Sequence, residues 1–113
     1  MLKTKRAYEA KTASDGKRIL IDRLWPRGLR KADAAIDFWM KEIAPSPELR
    51  RWFGHKPERW EEFQRRYKTE LAKETELLDE LREIAEKGVL TLVYSAKDEA
   101  HNQAVVLRDV LTQ

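Results

Sequence analysis

The sequence predicts a small α/β domain with three layers, in which a mainly parallel sheet of three to four strands is flanked by helices. Three observations lead to this fold class. Residues 89–94 are apolar at nearly every position, which is typical of a strand that is covered on both faces. Residues 18–22 form a second short apolar run bounded by charges. Between and after these runs, apolar residues recur at helical spacing.

The 113 residues contain no internal repeat, low-complexity tract or linker, so we expect one domain over residues 1–113. The first seven or eight residues are weakly patterned and fit an edge strand. Residues 13–16, Ala-Ser-Asp-Gly, form a turn signal before the strand at 18–22. In residues 25–28, Trp-Pro-Arg-Gly, Pro occupies the second position and Gly the fourth, which predicts a type I turn.

The segment 36–43 is ambiguous, because its apolar residues alternate as in a strand but also fit one helical turn. Ser46 followed by Pro47 and Glu48 combines a helix cap, a first-turn proline and a first-turn acid. We therefore predict a short helix to about Phe53, which Gly54 ends.

Another helix is predicted from residue 58, with one apolar face: Trp60, Phe63, Tyr67 and Leu71. Thr75 is a candidate cap for a second helix that Gly88 would end, although the spacing also allows one continuous helix over 58–87. After the strand at 89–94 and a polar loop, a last helix is predicted from about Glu99 to Leu111.

Charge is distributed unevenly along the chain. Residues 1–31 contain ten Lys and Arg against three acids, whereas the remainder contains 13 basic and 17 acidic residues. A basic N-terminal third suggests an anionic partner, with self-paired surface charge as the alternative interpretation. The chain lacks cysteine, which excludes disulfides, thiolate metal sites and a cysteine nucleophile. Because no apolar run approaches the length of a membrane span and no secretory signal is visible, we expect a cytoplasmic protein without membrane contact.

Several motifs together resemble one family. Residues 22–28 read Asp-Arg-Leu-Trp-Pro-Arg-Gly and residues 91–97 read Thr-Leu-Val-Tyr-Ser-Ala-Lys. Further matching positions are Trp39, Lys41, Glu42, Pro45, Ser46, Leu49, Arg50, Arg66, Tyr67 and Asn102. In these motifs the chain resembles the YeaO-like family of small bacterial proteins, domain of unknown function 488, over residues 4–111. The resemblance implies a compact α/β domain and assigns no reaction.

Ligands of open parallel sheets bind beyond the carboxyl ends of the strands, and this rule selects two loops. The loop after the early strand carries Asp22, Arg23, Trp25 and Arg27. The loop after the later strand carries Tyr94, Ser95 and Lys97 and leads to Asn102 on the first turn of the last helix. Guanidinium groups and a helix N-terminus favour phosphate or carboxylate. The sequence therefore predicts an anion-binding pocket formed by Arg23, Arg27, Ser95, Lys97 and Asn102, with Trp25 beside them. The alternative is that these residues only pair with nearby protein groups.

Candidates for proton transfer are few. Tyr94 at a strand end and His55 in a loop are weak catalytic candidates. The alternative interpretations are that Tyr94 is a buried core tyrosine and that His55 binds the backbone of its loop. His101 is assigned to the surface of the last helix, with Glu99 near it. Neither histidine has the spacing of a metal site, and no glycine-rich nucleotide motif occurs, so we predict no metal and no cofactor.

Two function classes remain. The first is a protein that binds, and as an enzyme would transform, a small phosphorylated or carboxylated molecule. The second is a nucleic-acid-binding module that uses the basic N-terminal third, with Trp25 for stacking; the low net charge of +3 argues against it. The sequence leaves open the substrate, the oligomeric state and whether Arg23 and Arg27 face a pocket.

Overall fold

The computed structural model describes all residues from Met1 to Gln113. Its four strands, Leu2–Arg6 (β1), Lys17–Leu20 (β2), Phe38–Trp39 (β3) and Leu90–Tyr94 (β4), form one parallel sheet in the order β1-β4-β2-β3. The helices are Lys31–Ala34 (α1), Pro47–Phe53 (α2), Trp60–Leu71 (α3), Thr75–Lys87 (α4) and Gln103–Leu111 (α5). Short 3₁₀ turns occupy Ala13–Asp15, Lys41–Ile43 and Pro57–Arg59. The predicted α/β class with a parallel sheet is confirmed.

The two faces of the sheet are covered differently. Alternate residues of β2 and β4, among them Ile19 and Leu92, join the buried residues of α2 to α5 in one core of 18 side chains. The opposite face presents Leu20 and Val93, which pack against the segment 25–39 that contains α1. Because β4 is buried at every position, its continuous apolar sequence follows from its central place in the sheet.

The ambiguous segment 36–43 forms a two-residue strand followed by a 3₁₀ turn. The strand β3 pairs with β2, and the backbone N–H of Met40 continues the pairing by donating to Leu20 O at 2.9 Å. The carboxylate of Asp37 accepts from the backbone N–H of Arg18 at 2.8 Å and fixes the start of β3. Pairing with β2 therefore determines the structure of this segment, because its apolar pattern is compatible with both a strand and a helix.

Three local predictions need correction. The turn near Trp25 spans residues 26–29, closed by Leu29 N and Pro26 O, and Gly28 at its third position has φ of +75°, as in a type II rather than a type I turn. The last helix begins at Gln103 and not at Glu99. The carboxylate of Asp98 accepts from the backbone N–H groups of Ala100 and His101, and the side-chain amide of Asn102 donates to the carbonyl oxygen of Asp98. These contacts occupy backbone groups that a helix starting at Glu99 would use. Thr75 is the first residue of α4 and not its cap.

The remaining helix predictions agree closely with the structure. Ser46 caps α2 by accepting from Leu49 N, and Gly54 ends this helix in the left-handed region. The stretch from 58 to 87 forms two helices and not one, since residues 72–74 separate α3 from α4. None of the five helices has both the length and the apolar character that a membrane crossing requires.

Candidate functional site

A cavity of about 660 Å³ opens beyond the carboxyl ends of the strands, and we call it the strand-end cavity. Its 20 lining residues come from the segments that follow all four strands, together with Phe63 of α3. They include Tyr8 after β1, residues 22–27 after β2, the stretch from Ala44 to His55 after β3, and residues 95–103 after β4. Parallel pairing brings these ends to one edge of the sheet, where ligands of open α/β sheets bind.

All six residues selected from the sequence as ligand-binding candidates line the strand-end cavity. They are Arg23, Trp25, Arg27, Ser95, Lys97 and Asn102. Arg27 and Lys97, which come from different loops, therefore share one concave surface. Being on the cavity wall does not make these six side chains equivalent, because some of them are already bound to other protein groups.

Three cationic side chains of the wall have no protein partner. Arg27, Arg50 and Lys97 are exposed, and their side chains form neither a hydrogen bond nor an ion pair within the chain. Arg50 was not selected from the sequence. It lies on α2 next to the buried Leu49, and only the tertiary path of the chain brings α2 to the strand ends. These groups are available to bind an anion.

Arg23 and Trp25 have structural partners. The guanidinium of Arg23 donates to the carbonyl oxygens of Ala44 at 3.0 Å and Pro45 at 3.4 Å, and so connects the loop after β2 to the chain before α2. The indole N–H of Trp25 donates to Leu29 O, and its ring packs edge-on against Trp39 with centroids 5.5 Å apart. Both residues shape the cavity wall.

Asp22 connects three parts of the wall. The sequence places it in the loop after β2 but not among the predicted ligand-binding residues. Its Oδ2 accepts from the backbone N–H of Ser95 at 3.0 Å and from the Ser95 hydroxyl, whereas its Oδ1 accepts from the side-chain amide of Gln103. The residue Asp22 is only 8% exposed. Burial raises the pKa of Asp22, against the hydrogen bonds from Ser95 and Gln103 and the charge of Arg50, which lower it. The Ser95 hydroxyl is thus committed to Asp22.

Asn102 is the N-cap of α5, one residue before the helix rather than in its first turn. Its Oδ1 accepts from the N–H groups of Ala104 at 2.8 Å and Val105 at 3.4 Å, and its Nδ2 donates to Asp98 O at 2.9 Å. Two of the helix's free N–H groups are therefore occupied by the cap. Asn102 positions the loop from 95 to 102, and its amide oxygen is occupied by the cap.

The two histidines have different surroundings. His55 lines the strand-end cavity in the left-handed region, with φ of +56°, and its ring forms no hydrogen bond. His101 precedes α5 and also lines the cavity, so its assignment to a helix surface was wrong. Its Nδ1 lies 2.8 Å from Asp98 Oδ2, and this hydrogen bond lowers the pKa of Asp98. The partner of His101 is therefore Asp98 and not Glu99.

Tyr94 does not line the cavity. Its side chain is buried in the main core, and burial, with the charges of Glu99 and Glu9, raises its pKa. A hydroxyl in these surroundings keeps its proton at neutral pH and packs as a core residue. No group of three or more His, Asp or Glu side chains is arranged to hold a metal ion.

Comparison with known proteins gives one family. A family profile described as the inactive DUF488-N3 subclade, DUF488-N3i, matches residues 1–113. The uncharacterized protein YeaO of Escherichia coli is 47% identical over 110 residues, which cover 97% of this chain and 96% of that protein. The uncharacterized protein Rv3073c of Mycobacterium tuberculosis is 43% identical over 106 residues, 94% of this chain and 89% of its own. No solved structure matches significantly.

Proposed function

The chain belongs to the DUF488-N3i family, the inactive DUF488-N3 subclade, and we propose that it binds a small phosphorylated or carboxylated anion in the strand-end cavity without transforming it. One observation carries the proposal: Arg27, Arg50 and Lys97 line the same cavity and have no protein partner. Like charges that share a concave surface repel one another, and an anion between them relieves that repulsion.

The local charge balance supports an anion rather than a cation. Four cationic side chains line the cavity, Arg23 among them, whereas its only carboxylates are Asp22 and Asp98. Both carboxylates are already hydrogen-bonded to neighbouring protein groups. Guanidinium groups also bind phosphate and carboxylate oxygens in a bidentate geometry, which favours those anions over halides.

Binding without turnover fits the surroundings of the proton-transfer candidates. Tyr94 is buried away from the cavity and is therefore not in place as an acid. The Ser95 hydroxyl and backbone N–H both donate to Asp22, a pair of contacts that joins the loop after β4 to the loop after β2. His55 and His101 line the cavity, and neither ring is hydrogen-bonded to a serine or threonine hydroxyl. The description of the family as an inactive subclade points in the same direction.

The nucleic-acid alternative receives less support from the contacts of the basic N-terminal third. Six of its ten cationic side chains bind the protein's own carbonyls or carboxylates: Lys3, Lys5, Arg6, Arg18, Arg23 and Arg30. Trp25 is half-buried and bonded through its indole N–H. These contacts weigh against an open basic stripe with a free stacking platform, which such a module needs.

A thermal-shift titration with phosphate at constant ionic strength tests the proposal. At a hundred times its dissociation constant a ligand adds about 2.7 kcal/mol of stability. For a domain of this size we expect a rise in Tm on the order of 10 °C. Arg27→Ala should reduce the shift severalfold, because it removes a cation from the cavity.

Arg30→Ala is the matched control, since Arg30 pairs with Asp33 on the surface and does not line the cavity. Equal shifts in both variants would place binding elsewhere. A shift produced only by oligonucleotides and abolished by salt would favour the nucleic-acid module. No shift with phosphate or with small carboxylates would contradict the proposal.

A further inference from the structure

We propose that the ligand of the strand-end cavity is a polyhydroxylated organic phosphate, of the sugar-phosphate class, whose hydroxyl groups bind to acceptors around Asp22. This inference rests on the proposed function, because it takes the anionic group to lie among Arg27, Arg50 and Lys97. It adds a second region of the cavity, which we call the acceptor side: Asp22, Gln103 and His101.

The cavity is large for a bare inorganic anion. Pockets for organic ligands span roughly 300–1,000 Å³, and the strand-end cavity, at about 660 Å³, lies in the middle of that range. Its wall also extends from the cations to the buried rings of Phe53 and Phe63, so the space beside the anionic group has both polar and apolar borders. A ligand that fills it carries a carbon skeleton.

Asp22 retains an unused acceptor position. Its Oδ2 receives two hydrogen bonds from Ser95, whereas its Oδ1 receives one, from Gln103. A carboxylate oxygen has two lone pairs, so one acceptor position on Oδ1 is left. Because a carboxylate only accepts, the Gln103 amide must turn its nitrogen to Asp22, and its Oε1 has no partner in the protein.

His101 supplies a third acceptor. Its Nδ1 faces Asp98 Oδ2 at 2.8 Å, and the carboxylate holds the ring proton on that nitrogen. In the tautomer that carries its proton on Nδ1, the Nε2 atom has a lone pair, and it has no hydrogen-bond partner in the protein. The ring is fixed edge-on to Trp60, with centroids 5.2 Å apart, so its orientation is set before a ligand binds.

The acceptor side selects hydroxyl groups over ammonium groups. Asp22 Oδ1, Gln103 Oε1 and His101 Nε2 are each placed to accept a further hydrogen bond. A fully ionised phosphate ester has no donor of its own, so donors for these atoms have to come from the rest of the ligand. A ligand ammonium would supply donors, but it would meet the repulsion of Arg27, Arg50 and Lys97 in the same cavity. Neutral hydroxyl groups donate to the acceptors without that repulsion, which leaves a hydroxylated anion as the matching ligand.

Calorimetric titration with glycerol 3-phosphate, n-propyl phosphate and inorganic phosphate tests the inference. The first two share a phosphate ester and a three-carbon chain, and differ in the two hydroxyl groups. We expect glycerol 3-phosphate to bind about tenfold more tightly than n-propyl phosphate, since a group left without its donor in a binding site lowers affinity. Equal affinities would overturn the inference and leave the proposed function standing. Binding of none of the three would overturn the proposed function and, with it, the inference.

Asp22→Asn locates the hydroxyl contact. We expect the variant to lose most of the preference for glycerol 3-phosphate over n-propyl phosphate. The ratio of the two affinities is the readout, because Asp22 also joins the segments of the cavity wall. If Asp22→Asn does not fold, His101→Phe keeps a ring against Trp60, removes Nε2, and should reduce the preference severalfold. A preference unchanged in the folded variant would overturn the assignment to the acceptor side.

Discussion

Arg18→Met is expected to lower the free energy of unfolding by about 3–5 kcal/mol, because it breaks a buried ion pair from one side. The Arg18 side chain is fully buried. It donates to Asp15 Oδ2 at 2.7 Å, to Ala34 O at 2.9 Å and to Ala35 O at 3.2 Å. One side chain thus joins β2 to the turn before it and to α1 on the outer face of the sheet.

The buried groups that lose Arg18 as a partner explain why the loss of stability is large. Asp15 stays buried, with Lys5 and Thr12 as its remaining side-chain partners, and two carbonyl oxygens lose their donor. Burial alone would raise the pKa of Asp15, but hydrogen bonds from Thr12, Lys5 and Arg18 hold it well below its usual range. A carboxyl with a lowered pKa stabilises the fold at neutral pH, and this stabilisation is lost as the pH falls from the unfolded-state pKa through the lowered one.

Urea unfolding followed by tryptophan fluorescence measures the loss. Arg30→Met is the control, because the Arg30–Asp33 pair is exposed and is worth about 0–1 kcal/mol. A loss below about 1 kcal/mol in Arg18→Met would contradict a structural role for this network.

Gly16→Ala is expected to cost about 3 kcal/mol or more. Gly16 has φ of +62° and ψ of −129°, a conformation that essentially only glycine adopts. A Cβ atom added there would lie 2.3 Å from Val89 O, a backbone atom that accepts from Lys17 N where β2 and β4 begin to pair. Neither the turn nor the start of β4 can move without breaking that pairing.

Gly88→Ala is the matched control, since no atom lies within 4 Å of its added Cβ and its φ of 178° is ordinary extended backbone. Thermal unfolding of both variants should show a large loss of Tm for Gly16→Ala and a change of a few degrees for Gly88→Ala. Similar losses in the two would mean that the close approach to Val89 does not control stability.

The general fold was readable because apolar patterns report burial directly. The runs at 18–22 and 89–94 belong to strands with covered faces, and the spacing of Phe63, Tyr67 and Leu71 gave the buried side of α3. The wrong boundaries lie where side chains compete with the helix for backbone groups. Asp98 binds the N–H groups of Ala100 and His101, and so delays α5 by one turn, which composition does not report.

The candidate site was only partly readable. Topology placed the loops after β2 and β4 together, so a rule about strand ends selected residues that share one cavity. Residue type did not reveal which polar groups the protein itself uses. Arg23 and Asn102 are occupied by protein groups. Arg50 is free, and the rule about strand ends did not select it because it lies on α2. The hydrogen-bond partner of a polar side chain depends on the tertiary structure, and the sequence has no periodic pattern that indicates it.

An NMR titration of the ¹⁵N-labelled protein with phosphate tests the anion site in the strand-end cavity most directly. The same titration is carried out in parallel on Arg50→Ala and Arg51→Ala. The two arginines are neighbours on α2 and both are exposed, but only Arg50 lines the strand-end cavity. We predict saturable shifts confined to the segments that line the cavity, residues 22–27, 44–55 and 95–103. The affinity should fall about tenfold or more in Arg50→Ala and change little in Arg51→Ala. Shifts spread over the surface, or equal weakening in both variants, would contradict an anion site in the strand-end cavity.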